Sequence, residues 1–186
     1  MNKPAVNARS GAGLALAAGA FALMLAQGPT VAAQDSPMSM QTLLDRAQIE
    51  DLLTRYYYNL GHGSADSFSN FYADDAELVL GPKTYKGKQG IESAYSGAGR
   101  QQGANPIASA FSFNVSVSNP LIIVHGAAAT AQLIYTEVII DKQGDPPRVL
   151  AQGREYDDLV KQKGHWRIRK RQIVAGTQPP AGWTAK

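Results

Sequence analysis

The sequence predicts an α+β domain in which helices come first and a curved, mainly antiparallel sheet follows. Three observations predict it. Apolar residues recur at helical spacing between 49 and 60. Apolar and polar residues alternate from Phe111 to Ser118. Turns at 125–126, 142–147 and around Gly164 then divide the rest into hairpins. A hydrophobic content of 44% in 186 residues supports a packed core.

Residues 1–33 read as a segment separate from that fold. Lys3 and Arg9 form a basic start, Leu14 to Leu25 an Ala/Leu/Gly-rich apolar run, and Val31-Ala32-Ala33 a small-residue cleavage site. That order is a secretory signal peptide, cut after Ala33. Its apolar run is shorter than the roughly 20 residues that span a bilayer. The expected destination is the periplasm or the medium, with no membrane attachment after cleavage. Lys3 and Arg9 leave with the leader and no acid does, which lowers the net charge from +3 to +1. So neutral a domain offers no charge argument for nucleic acid. The chain has no cysteine, which excludes disulfides, thiolate zinc sites and a cysteine nucleophile.

Residues 34–41 read as a linker and 42–175 as the domain. Thr42 is the expected N-cap of the first helix, with Asp45 completing a capping box. Ile49, Leu52, Leu53, Tyr56 and Leu60 form its apolar face, and Gly61 and Gly63 end it. Ser64 can cap a short second helix carrying Phe68, Phe71 and Tyr72, broken at Ala73-Asp74-Asp75. Ala76–Leu80 and Thr84–Lys86 are short strands about Gly81-Pro82. A third helix runs from Gly87 to about Ala98, and 96–109 is a Gly-rich loop. Phe111–Val124 is a strand with a bulge or bend at Asn119-Pro120. Ala127–Asp141, Arg148–Lys161 and Trp166–Val174 follow as strands, and 176–186 is a tail. Leu133–Ile140 is apolar on both faces and needs cover on both. The helices supply one cover; the other is a second copy in a homodimer, or the tail with Trp183.

Five stretches in order carry a resemblance: 47–60 (AQIEDLLTRYYYNL), 71–81 (FYADDAELVLG), 85–95 (YKGKQGIESAY), 117–132 (VSNPLIIVHGAAATAQ) and 153–173 (GREYDDLVKQKGHWRIRKRQI). Together they resemble the SnoaL-like branch of the nuclear-transport-factor-2-like superfamily. The resemblance implies a cone-shaped α+β barrel: three N-terminal helices packed on a curved, mainly antiparallel sheet around an apolar pocket. It also implies cofactor-free cyclase, dehydratase or isomerase chemistry, or a non-catalytic domain, since one fold serves many functions.

Cofactor-free proton transfer beside a carbonyl needs a base and a hydrogen-bond donor in a dry pocket. The resemblance makes Tyr56 that donor. It also implies an acid about five residues later, where this chain has Gly61 beside His62. His62, with Asp66 to orient it, is the candidate acid/base, because imidazole titrates near neutrality; a solvent-facing histidine and a helix-start acid are the plainer readings. The family's strand-start histidine has no counterpart in Phe111–Asn114. Candidate ligand contacts are Tyr57, Phe71, Phe113, Tyr135, Glu137, Glu155 and Trp166. By strand alternation Tyr135 and Glu137 share a face, and Glu155 lies opposite Tyr156. Glu137, set among apolar residues, is either a raised-pKa acid or the partner of Arg148 or Arg154. Asp74-Asp75 reads as a turn rather than a metal site, and no metal or other cofactor is expected. Arg167, Arg169 and Arg171 alternate with Trp166 and Ile168 as one wet strand face. Three functions compete: a cofactor-free lyase or isomerase on a small, largely apolar carbonyl compound, a binding module for such a molecule, and a dimeric interaction module.

Overall fold

The computed structural model describes residues 38–60, 68–95, 110–176 and 178–185, all within one unit, Val31–Lys186. The leader expected at 1–33 lies outside the described residues. No described helix is long and apolar enough to cross a membrane.

Helix α1 spans Met40–Asn59. Its cap is Ser39, not Thr42: the Ser39 hydroxyl accepts from the Thr42 backbone N–H at 3.1 Å, so the helix starts inside the stretch read as linker. Asp45 is thereby free of capping. It accepts from Lys161 Nζ at 2.6 Å and from Trp166 Nε1 at 3.0 Å, which fastens the first turns of α1 to the last hairpin. The apolar spacing of α1 does what it predicts: Ile49, Leu52, Leu53, Tyr56 and Tyr57 are buried.

A 3-10 turn, Ser69–Phe71, leads directly into strand β1, Tyr72–Leu80. This corrects the expected helix through Tyr72 with a break at Ala73-Asp74-Asp75. Those three residues lie inside the strand, where its register against β6 shifts between Tyr72 and Glu77. Asp74 and Asp75 are exposed there, and Asp74 pairs with Lys88 at 2.9 Å. Gly81, at φ 57°, turns the chain into β2, Lys83–Lys86. Helix α2 follows as Gly87–Tyr95. Among the described residues there are thus two α-helices, where three were expected; the one placed from Ser64 begins in 61–67, outside the described residues, and its remainder is the 3-10 turn and the start of β1.

Strands β3 (Ser112–His125), β4 (Ala128–Ile140), β5 (Arg148–Gln162) and β6 (His165–Val174) complete a six-stranded mixed sheet in the order β2-β1-β6-β5-β4-β3. The β1–β6 pair is parallel and the other pairs are antiparallel. The turns at His125-Gly126, 142–147 and Gly164 lie where the sequence places them.

Two bulges decide which side chains face inward. In β3 the register shifts between Ser118 and Leu121, around Asn119 at φ 52°. One extra residue reverses the alternation. Phe113, Val115 and Val117 therefore share the inner face with Ile122 and Val124, although the first three are odd and the last two even. In β6 the register shifts at the residue opposite the Asp158/Leu159 step, leaving Arg169 unpaired. Arg171 is thus turned inward with Trp166 and Ile168. The alternating wet face stops at that bulge, and Arg171 is 0% exposed. On the outer face, the tail's Trp183 packs edge-on against Tyr156 at 4.8 Å.

Candidate functional site

Paired residues across an antiparallel ladder share a face. Leu133 opposite Glu155, Ala131 opposite Asp157, and Asp157 opposite Arg171 therefore place Glu155, Asp157 and Arg171 together on the inner face, under α1. All three are fully buried. Arg171 donates to both Asp157 oxygens, at 2.9 and 2.8 Å, a bidentate pair. Its Nη2 also stands 2.8 Å from Glu155 Oε1. That approach is charge proximity without hydrogen-bond alignment, because Glu155 Oε1 and Arg171 Nη1 are both buried without a hydrogen-bond partner among the described residues. The guanidinium lies over the Tyr56 ring, 4.0 Å from its centre.

One guanidinium faces two buried carboxyls, and its aligned bonds go to Asp157. Glu155 is left with the weaker share. Burial pushes the Glu155 carboxyl well above the usual carboxylate range; Arg171 opposes this and Asp157 adds to it. Burial also works against the Arg171 charge, but Asp157 and Glu155 outweigh it and hold the guanidinium protonated.

Tyr57 touches both this cluster and a groove. Its hydroxyl donates to Glu155 Oε2, and burial, followed by the Glu155 charge, raises the phenol well above its ordinary value. The same side chain lines a groove of about 380 Å³ between α1 and β3, with Phe113, Val115 and Val117 as its apolar wall. Tyr135 and Glu137 share the inner face further along β4, opposite Val117 and Val115. Glu137 is half-buried and its carboxyl is raised by burial. The Tyr135 phenol is raised by burial first and then by Glu137 and Glu155, so these three groups sense one another. Arg148, one expected partner of Glu137, instead grips Asp141 at 2.7 and 2.9 Å. Gly153 makes room for Tyr135: a Cβ there would meet Tyr135 Oη and the Val174 carbonyl oxygen, each at 2.5 Å.

Of the residues nominated from sequence, Tyr57 and Phe113 line the groove, and Tyr135, Glu137 and the buried Glu155 lie on the inner face of the sheet. Tyr56 lies deeper. Its hydroxyl bonds that of Tyr95, which also meets Tyr72 at 3.3 Å, so it belongs to a buried tyrosine cluster. Phe71 packs against Tyr56 at 5.7 Å. Trp166 sits apart from the groove, 3% exposed and tied to Asp45. His62 and Asp66 lie outside the described residues. Sequence reasoning missed Asp157 and Arg171. Asp157 shares the parity of Glu155 and was open to the same argument. Arg171 was hidden by the bulge.

A family profile described as a SnoaL-like domain matches residues 41–172. The chain belongs to that family. Solved structures agree on the fold. A nuclear-transport-factor-2-like protein with a cystatin-like fold from Novosphingobium aromaticivorans is 19% identical with a TM-score of 0.62, over 78% of this chain and 96% of that one. A candidate scytalone dehydratase from the same organism is 18% identical with a TM-score of 0.61, over 80% and 95%. Aln2 from a Streptomyces species is 16% identical with a TM-score of 0.63, over 75% and 94%. No curated protein sequence matches the chain. At such identities the structural likeness speaks for the fold, a cone of helices on a curved mixed sheet.

Proposed function

We propose that the chain is an exported, cofactor-free acid–base catalyst acting beside the carbonyl of a small, largely apolar molecule. One observation carries the reading: Tyr57 lines the groove and at the same time donates to a buried Glu155. A substrate seated against Phe113 and Val115 would place its polar atom near the Tyr57 hydroxyl. With substrate seated, the Tyr57 hydroxyl turns its O–H from Glu155 to the developing enolate oxygen and accepts the proton that burial keeps on Glu155, so the enolate becomes an enol and Glu155 a carboxylate; the α-proton leaves carbon to a separate base. Arg171 and Asp157 keep the carboxyl in place and balance the charge as it forms. That base is Glu137, half-buried opposite Val115 of the groove wall: its carboxylate takes the α-proton and gives it back. The family's cyclases and dehydratases make such chemistry a natural use of the cone, and the candidate scytalone dehydratase among the structural relatives fits it.

The test is α-proton exchange in deuterated buffer across a panel of small cyclic and aromatic ketones. The purified protein should catalyse exchange on at least one of them. Glu155→Gln should slow that exchange by about 100- to 10,000-fold, the usual weight of a positioned acid or base. A second reading rests on the full burial of Glu155: the same groove holds an apolar carbonyl compound without turnover. Binding of a panel member with no exchange, unaltered by E155Q, would select it.

Export is part of the proposal and rests on the residue pattern of 1–33. Expression in a bacterial host should yield a periplasmic or secreted protein whose N-terminal sequence begins at Gln34. An uncut cytoplasmic chain would overturn this part.

A further inference from the structure

A second cavity, of about 620 Å³, lies away from the Tyr57 groove, where the tail crosses the ends of β3 to β6. Its wall includes His125, Asp158, Arg169, Lys170 and Trp183, with alanines of the β3–β4 hairpin and of the tail between them. Two features of this cavity point the same way. Arg169 is the bulged residue of β6 and is exposed; the bulge aims a cation at the cavity that a regular strand would space differently. Lys170 stands between Asp158 and Glu77 in the register; Glu77 is engaged by Lys86 at 2.7 Å, so Asp158 offsets one of the two permanent cations and leaves the other in excess. The alanines and the indole supply apolar surface beside these charges. The cavity's size suits a small ligand.

We infer that this cavity is a second binding site, for a small organic carboxylate whose apolar body lies against Trp183. The carboxylate answers the excess cation. The apolar body answers the alanine wall. The site is independent of the acid–base reading of Glu155, because it shares no residue with the groove.

The chain has two tryptophans, Trp166 and Trp183, so its indole N–H signals can be followed singly by ¹H–¹⁵N NMR once Trp183→Phe assigns them. Hexanoate is the probe and hexanol the neutral control. The expected result is a saturable low-millimolar shift of the Trp183 signal with hexanoate, none with hexanol, and none at Trp166. Arg169→Gln with Lys170→Gln should weaken binding at least tenfold while the backbone spectrum stays folded. No saturable shift at Trp183, an equal shift with hexanol, or an unchanged affinity in the charge variant would each overturn the inference.

Discussion

At the residue scale the chain has done something costly: it has buried two carboxyls and one guanidinium in contact. Such a group is stable only while complete. Arg171→Met, which leaves Asp157 without its bidentate partner, should destabilise the fold by about 3–5 kcal/mol in urea unfolding. Glu155→Gln is a different perturbation, because a neutral amide resembles the protonated acid in size and charge. It should cost little stability in acid, where Glu155 is protonated in both states, and change the pH dependence instead. Glu155 holds its proton more tightly when folded than when unfolded, so its contribution is full below the unfolded value near 4.5. That contribution is lost as pH rises toward the raised folded value, at up to about 1.4 kcal/mol per pH unit. Stability curves of the native chain and E155Q should therefore converge in acid and separate as pH rises, with the native chain losing more. Parallel curves would contradict this.

At the element scale the sheet's irregularities matter more than its regular pairs. The β3 bulge at Asn119 allows odd apolar residues before it and even ones after it to line one cone wall. The bulge at Arg169 in β6 brings Arg171 to Asp157. Gly153 serves a similar end by absence of a side chain, since Tyr135 occupies the space of its Cβ. Gly153→Ala would set a methyl 2.5 Å from the fixed Val174 carbonyl oxygen. It should cost about 1–3 kcal/mol, the usual penalty of overpacking, and should move the Tyr135 ring. Helix α1, the six strands and most turns were legible because periodicity and turn residues are local signals. The start of β1 was not, because Phe68, Phe71 and Tyr72 also satisfy helical spacing. The inward turn of Arg171 was not, because a bulge reverses parity without leaving a mark in the residue types. Tyr57 and Phe113 were legible as apolar groove residues, and Glu155, Tyr135 and Glu137 as polar groups on central strands. Their assembly needed the register.

At the scale of the whole molecule, the outer face of the sheet raises the question of cover. Ile134, Thr136, Val138 and Ile140 remain half-buried on β4. The tail brings Trp183 over Tyr156, so part of the face is closed by the chain itself. We propose that a second copy closes the Ile134–Ile140 stretch, since apolar strand surface of this length is costly to leave wet. Native mass spectrometry should show a dimer, and Ile134→Glu should convert it to a folded monomer; a native chain that is already monomeric at working concentration would contradict the dimer. The family fold was legible from five short stretches in order. The reaction was not, because the acid that the resemblance implies after Tyr56 is replaced here by Gly61; the acid we propose in its place comes from β5.

Residue chemistry, sheet register and proposed reaction all meet in the charge state of Glu155. The most direct measurement is a ¹³C NMR titration of the glutamate side-chain carboxyls, with E155Q to assign the signal. One glutamate should keep its proton well above the ordinary carboxylate value of about 4.3, and that signal should vanish in E155Q. If the signal lost in E155Q titrates in the ordinary range, Glu155 is not a neutral buried acid, and the proposed proton transfer through Tyr57 fails with it.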